Sequence, residues 1–218
     1  MIIDGNSTDG SKGIIQKYCE ILPNLRASSE PDYGIYDAMN KGIERSKGEF
    51  VAFLNSGDVL HSTDVLKVIL NELVNCSNVE FLYGDVEVSS VRKGLRRYWR
   101  AGHFRPWFLY VGWMSPHPLA TIKKSLICDA GGFDLRYKIA ADYCLMLDVL
   151  KQKAIKVAYV PRCLVTMEAG GVSNSSIKQI ACANLEIMSH WYSRTPYLVP
   201  FWIFITKPLS KLLQYRSK

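Results

Sequence analysis

The chain has 218 residues, 48% hydrophobic and 22% charged, with Lys+Arg 27 against Asp+Glu 20 and a formal net charge of +7. This balance excludes a disordered, collagen-like or long coiled-coil chain, and a mean hydropathy near zero excludes a multi-span membrane protein. Positive charge favours anionic partners (nucleic acid, lipid or phosphorylated small molecules) without choosing among them.

The six cysteines, Cys19, Cys76, Cys128, Cys144, Cys163 and Cys182, are evenly spread and form no C-x-x-C pair. That is neither zinc spacing nor the dense framework of a small secreted domain, so reduced thiols and a cytoplasmic chain are expected. Met1-Ile2-Ile3 meets Asp4 at once, without the basic and apolar regions of a signal peptide. The most apolar stretch, Tyr197 to Ile205, is interrupted by Pro200. It falls well short of the roughly 20 apolar residues that a spanning helix needs.

Short apolar runs alternate with helical patterns over most of the chain, which predicts an α/β fold. Ile2-Ile3 reads as the tail of a strand, followed by a polar turn from Asp4 to Ser11 and a helix through Tyr18. Ile35, Ala38, Met39, Gly42 and Ile43 share one face of a second helix, with Gly48 as its stop. Glu49 to Leu54 is expected to be a buried strand ending in the turn Asn55-Ser56-Gly57-Asp58. Ser62 or Thr63 can cap a helix whose core face is Leu66, Ile69, Leu70 and Leu73. Val79 to Val88 is another strand, interrupted at Gly84-Asp85. Arg92 to Arg100 is basic and reads as a strand or loop, and His103 to Pro118 as a structured loop. A short helix near Lys123 to Ala130 ends at Gly131-Gly132. Asp142 opens a helix with Met146, Val149 and Leu150 inward, and Ile155 to Val160 forms a last strand. Ile177, Ile180, Ala181, Asn184, Leu185, Met188 and Trp191 mark a long amphipathic helix.

Four acidic motifs fall at expected strand ends or helix starts, where open α/β sheets bind ligands. Asp4-Gly5-Asn6-Ser7-Thr8-Asp9-Gly10 suits a tight turn over a ligand, and equally an ordinary turn. Pro31-Asp32 leads into a helix on which Asp37, Asn40 and Lys41 crowd one turn. Asn55-Ser56-Gly57-Asp58 can present an oxygen to a hard cation, since Mg²⁺ or Mn²⁺ takes only one or two carboxylates beside phosphates and waters. Asp142 can serve as a general base, although a carboxylate at a helix start is also favoured by the dipole alone.

In order and spacing these motifs resemble the inverting family 2 glycosyltransferases with the GT-A fold. The likeness is to small bacterial members that build exopolysaccharide or lipopolysaccharide, and it spans roughly residues 1 to 170. IIDGNSTDGS is similar to the family's second-strand motif, EPDYGIYDAMNKGIERSKGEFVAFLNSGD to the stretch leading into its metal-binding motif, and GGFDLRYKIAADYCL to the segment with its catalytic base. The resemblance implies a Rossmann-like mixed sheet flanked by helices over 1–170, while the residue pattern of 171–218 predicts a C-terminal amphipathic helix and a membrane-associating tail. It places Asp4, Asp9, Asp32, Lys41 and Gly57 along a nucleotide-sugar donor, and Asp58 on the Mn²⁺ or Mg²⁺ that bridges its diphosphate. Asp142 would deprotonate the acceptor hydroxyl, with His117 on the acceptor side. The acceptor would be a glycan, or one carried on a lipid. Nucleic acid is not an expected partner, because the basic residues lie apart from the acidic turns and no recognition motif is present.

The sequence departs from the family at three points. The first and third acids of the metal motif are Asn55 and Gly57 here, and Ala141 stands where an acid usually precedes the base. The chain also starts on what resembles the second strand, so the first βα unit, on the order of 30 residues, is expected to be missing. Neighbouring strands would then lose their pairing and leave an apolar groove. The expected activity is sugar transfer in cell-surface polysaccharide synthesis, at the inner face of the plasma membrane. The alternative is an inactive remnant or binding subunit of the same fold. Gly170-Gly171-Val172-Ser173 resembles a loop that closes over the donor, and the aromatic and basic tail from Tyr197 to Lys218 suits an anionic bilayer surface.

Overall fold

The computed structural model describes residues 1–76, 78–90, 95–168, 176–195, 202, 203 and 206. Its first unit is βαβ: β1 (Ile2–Asp4), α1 (Ser11–Ile21) and β2 (Ala27–Ser29), with the strands parallel and Ile2 opposite Ala27. Left-handed Gly10 (φ 93°) starts α1, and Asp9 Oδ1 accepts the Ser11 N–H at 3.1 Å. No residue of α1 is buried, and Ile14 and Tyr18 are more than half exposed. β2 reads Ala-Ser-Ser and has no apolar alternation, which is why its sequence does not announce a strand.

The helix α2 (Ile35–Arg45) joins this unit to the rest of the molecule. Acidic caps replace an N-cap side chain: Asp32 Oδ1 accepts the Gly34 N–H at 2.9 Å and Asp37 Oδ2 accepts that of Tyr33 at 3.1 Å. Both carboxylates suit the positive end of the helix dipole. Met39 and Ile43 enter the main core, while Gly42 faces Ile3 of β1. The helix ends at Arg45 with Ser46 as its cap, so Gly48 is not its stop but lies in the turn beyond.

The larger sheet has the order β3 (Phe50–Val51), β7 (Thr121–Lys123), β5 (Phe81–Ser90), β8 (Val157–Glu168), β4 (Val59–Leu60), with β6 (Leu95–Trp99) also paired to β5. β5 and β8 run parallel, and the other pairs are antiparallel. Gly84-Asp85 does not break β5. It shifts the register against β8, and a Cβ on Gly84 would lie 2.6 Å from Leu164 Cγ. Asp85, 2% exposed, is fully partnered there: its carboxylate accepts the Ala101 N–H and the hydroxyls of Tyr98 and Tyr159. Among the described residues β1–β2 form a sheet of their own, with α2 packed on both β1 and the core containing Val51 of β3.

α5 (Ala141–Leu150) runs through the core, with eight of its ten residues buried, as expected of a helix apolar on every side. A 3-10 helix at Pro106–Val111 forms part of the expected 103–118 loop, and α4 (Lys124–Asp129) ends at left-handed Gly131 and Gly132. Two amphipathic faces are rotated from expectation. In α3 (Val65–Asn75) Val65 and Ile69 are buried, whereas Leu66 and Leu70 are 54% and 61% exposed. In α6 (Ile177–Arg194) the buried row is Ile187, His190 and Trp191, and Leu185 is 67% exposed. α3 packs Val65 and Ile69 with Leu82, Val86 and Leu164, and strand geometry rather than the helix's own pattern selects that face. The 170–173 loop and nearly all of the tail from Tyr197 lie outside the described residues.

Candidate active site

The first two acidic motifs meet. Asp4 closes β1 and is 7% exposed; its carboxylate accepts Ser7 N–H (3.1 Å), Ser7 Oγ and, across to β2, Ser29 Oγ (2.6 Å). These bonds hold its pKa below the usual carboxylate range, the Ser29 hydroxyl contributing most. Asp4 therefore organises the turn that it opens. Asp32 lies directly over Gly5, in space that any Cβ at position 5 would occupy. Lys41 Nζ donates to the Pro31 carbonyl at 2.8 Å and pairs with Asp37 (3.1 Å) and Glu30 (3.3 Å). Arg45 completes this row on α2, its Nη2 donating to both Glu30 carboxylate oxygens at 2.9 and 3.0 Å. Asp9 stands apart from this cluster as the exposed cap of α1.

The third motif forms a tight turn in which Asp58 N–H donates to the Asn55 carbonyl at 3.1 Å and Gly57 takes φ 89°. Glu168, at the end of β8, reaches over the turn: a Cβ on Gly57 would lie 3.7 Å from its Oε2. Asp58 Oδ2 is shielded from solvent and has no hydrogen-bond partner. Burial pushes the Asp58 carboxyl above the ordinary range, and backbone hydrogen bonds at Asn55 and Glu168 oppose that. A buried, orphaned carboxylate oxygen suits a hard cation. Among the described residues no group of three His, Cys, Asp or Glu is arranged to hold one.

The fourth motif is built against α2. Asp142 is the second residue of α5, and its Oδ1 accepts the Tyr143 N–H at 2.8 Å. Tyr36 Oη donates to the Ile139 carbonyl at 2.7 Å and stands 3.3 Å from Asp142 Oδ1. Burial, followed by the negative charge of Asp142, raises the Tyr36 pKa far above the ordinary range, so the phenol remains a donor. One turn along α2, the Asn40 side chain clamps Phe133: Nδ2 donates to its carbonyl and Oδ1 accepts its N–H, both at 2.8 Å. A Cβ on Gly132 (φ 71°) would come within 2.8 Å of Asn40 Oδ1.

An aromatic floor joins the third and fourth motifs. Tyr36 stacks on Phe133, Phe133 meets Phe53 and His117 edge-on, and Phe53 stacks on His117 at 5.7 Å. Both His117 ring nitrogens are shielded from solvent and unpartnered, as is Ser115 Oγ nearby in sequence. Burial depresses the His117 pKa, and the Asp142 charge pulls it the other way. The imidazole is therefore neutral near pH 7, with hydrogen-bonding capacity left for a ligand.

The structure thus gathers Asp4 with Asp32, and separately connects His117 to Asp142 through Phe133 and Tyr36, with Phe53, five residues before Asp58, against the same rings. Tyr36 and Glu168 are the contributors that the sequence motifs did not single out, whereas Asn40 stood in the crowded turn of the second motif. Tyr36 and Asn40 lie four residues apart on α2, on the face that meets the 133–142 segment. A hollow of about 240 Å³ lies behind the site between α5, α6 and the 130–134 turn. Its charged walls are mutually paired, Asp148 with His190 and Arg194, and Asp134 with Arg136.

Comparison with known proteins bears on the family and the fold. The profile of Glycosyl transferase family 2 matches residues 1–118. A PGL/p-HBAD biosynthesis glycosyltransferase of Mycobacterium bovis (strain BCG / Pasteur 1173P2) is 26% identical over 179 residues, 81% of this chain and 68% of that protein. S. aureus TarS 1-349 in complex with UDP-GlcNAc superposes with a TM-score of 0.60 at 18% identity, over 86% of this chain and 57% of that one. The mannosyltransferase PcManGT from Pyrobaculum calidifontis, in complex with GDP-Man and Mn2+, gives 0.56 at 15% identity, over 96% and 64%. The chain therefore spans less than two thirds of these two solved structures. With more than half of its length matched by the family profile, and its motifs folded into one mixed α/β scaffold, the chain belongs to glycosyltransferase family 2, a family of sugar-transferring enzymes, and has the GT-A fold.

Proposed function

We propose that this chain transfers a sugar, with inversion, from a nucleotide-sugar donor to a hydroxyl of a glycan acceptor in cell-surface polysaccharide synthesis. The observation that carries this reading is the placement of Asp142. Its carboxylate sits at the start of a buried helix, held by its own backbone and by the Tyr36 hydroxyl, beside an imidazole with two free nitrogens. A carboxylate so held can accept a proton as the acceptor oxygen bonds to the anomeric carbon. The bond from that carbon to the donor phosphate breaks in line, and its electron pair leaves with the nucleoside diphosphate. A divalent cation, when bound, neutralises charge on that leaving group. Asp58 is the residue that would hold it, Gly57 leaving room for the phosphates and Glu168 closing the turn from above.

The turns carrying Asp4, Asp9 and Asp32 would receive the nucleoside, with Lys41 and Arg45 together keeping the Glu30–Asp37 side neutral. His117 would meet the acceptor. Support for a donor of this class comes from the solved relatives, one of which carries UDP-GlcNAc and another GDP-Man and Mn2+. A lipid-linked acceptor at an anionic membrane surface fits the exposed aromatics Trp107 and Trp202, 56% and 54% exposed, the latter tied by its indole N–H to the Tyr110 carbonyl. Among the described residues no helix is long and apolar enough to cross a membrane.

Asp142→Asn tests the central assignment. Transfer should fall by about 10²–10⁴-fold, the usual contribution of a general base, while binding of the nucleotide-sugar, measured by calorimetry, stays within twofold of wild type. Wild-type transfer by the variant would remove Asp142 from the reaction. A chain that binds donor but turns over none, with or without Mn²⁺, would instead be a binding subunit of the same fold.

A further inference from the structure

We propose that Glu186 of α6 is the positioning residue for Asp142; this rests on the reading of Asp142 as the base. Glu186 Oε1 accepts the Lys138 N–H at 2.8 Å, and its Oε2 accepts those of Ile139 at 3.0 Å and Ala140 at 2.8 Å. One carboxylate thus holds three successive backbone donors immediately before α5. Ala140 is the N-cap of that helix, and its own side chain cannot cap anything. The capping group comes instead from 46–48 residues further along the chain.

The same peptide is gripped on its other side, because the Ile139 carbonyl accepts from Tyr36 Oη, the hydroxyl that also faces Asp142. The segment from Lys138 to Ala140 is therefore clamped between α6 and α2, and Asp142 follows two residues later. Backbone placement and side-chain placement of the base have separate origins: Glu186 sets the first, and Tyr36 with the Tyr143 N–H sets the second.

Glu186 belongs to a row on α6. Four and eight residues on, His190 Nε2 and Arg194 Nη2 each lie 3.0 Å from the Asp148 carboxylate, in the later turns of α5. α6 accordingly braces α5 at both ends, with Ile187 and Trp191 buried alongside. The Asp148 end fixes the helix without touching the site, while the Glu186 end fixes the stretch that sets the position of the base. A carboxylate that only fastened α6 would affect stability alone. One that aims Asp142 affects the chemical step, since a displacement near 1 Å can cost on the order of 10²-fold.

The test is a double-mutant cycle on Glu186→Ala and Asp142→Asn. The substrate is whichever of UDP-GlcNAc, UDP-glucose and GDP-mannose the wild type hydrolyses fastest with Mn²⁺, followed by release of the nucleoside diphosphate. Glu186→Ala is expected to lower kcat roughly 10- to 100-fold with KM for the donor within about twofold. In the Asp142→Asn background the same change should cost nothing further. Hydrogen exchange at the amides of 138–140 should accelerate at least about tenfold in Glu186→Ala. If Glu186→Ala does not fold, Glu186→Gln, isosteric and still an acceptor, takes its place in the cycle with a smaller loss expected.

Wild-type kcat in a folded Glu186 variant, with Asp142→Asn inactive, overturns the positioning role and leaves the base assignment standing. Equal losses in both backgrounds also overturn it, since Glu186 would then act independently of Asp142. Wild-type kcat in Asp142→Asn alone removes the base assignment, and the positioning role with it.

Discussion

Tyr36 and Asp142, 106 residues apart in sequence, share a contact in which Tyr36 Oη lies 3.3 Å from Asp142 Oδ1 while donating its proton to the Ile139 carbonyl at 2.7 Å. The one hydroxyl proton is thus offered first to the carbonyl, by the shorter bond, and the Asp142 carboxylate lies within reach of the same donor. Tyr36→Phe keeps the stack on Phe133 and removes only the hydroxyl. The hydrogen bond lost is the one to the Ile139 carbonyl, worth about 0.5–1.5 kcal/mol, so kcat should fall by up to roughly tenfold, at 1.36 kcal/mol per decade. Donor affinity should be unchanged. Steady-state kinetics on the purified variant checks both.

Asp58 places function against stability. Burial raises its pKa, so the folded state binds this proton more tightly than the unfolded chain does. Its ionised form therefore opposes folding above the raised pKa, and the penalty fades as pH falls through that value. Asp58→Asn should melt higher than wild type at pH 7.5 in the absence of metal, with a smaller difference at pH 4. The added stability of wild type with Mn²⁺ and UDP should be missing in the variant. Thermal melts across pH, with and without Mn²⁺ and UDP, measure all of this.

His117 has the opposite sign. Its depressed pKa means that the unfolded chain takes up the proton first, beginning near the ordinary value of about 6.5. Stability should be complete above that pH and decline as pH falls toward the lower folded pKa. His117→Phe, which keeps an aromatic ring against Phe53, should lose less stability between pH 7 and pH 5 than wild type. Parallel slopes for the two proteins would show that another group carries the acid sensitivity.

Asn40 ties α2 to the Gly131-Gly132 turn by two hydrogen bonds to one residue. Asn40→Ala leaves the Phe133 N–H and carbonyl without these partners, at about 1–3 kcal/mol. For a chain of this size that lowers Tm by roughly 2–4 °C per kcal/mol. Asn40→Asp keeps the acceptor and loses the donor, so its Tm should fall between the two. Calorimetry on the three proteins ranks them.

Much of this scaffold is legible in the sequence, and the exceptions have physical causes. α2, α5 and the Gly131-Gly132 stop follow from apolar spacing and turn residues. β2, β4 and β7, two or three residues each, are too short to show alternation and exist through pairing with β1, β8 and β3 or β5. The α3 and α6 faces were misplaced because each helix carries apolar residues on more than one side, and partners chose between them. Within the site, Asp58 and Asp142 stand in recognisable motifs. Glu186 and Tyr36 do not, since each acts on backbone groups brought near only by the fold. Lys41 is visible as a charge, but its engagement with Glu30, Asp37 and Pro31 is a property of the folded turn.

α2 serves four neighbours from four sides: Asp37, Lys41 and Arg45 reach Glu30 or its turn, Tyr36 and Asn40 reach the base segment, Met39 and Ile43 the core, and Gly42 the first strand. Each residue added to or removed from a helix turns everything beyond it by about 100°. A single-codon insertion or deletion midway along α2 would misdirect all four attachments together, whereas a point substitution disturbs one. Among natural variants this helix should accept changes of letter and refuse changes of length, while the exposed turn after α1 can lengthen freely.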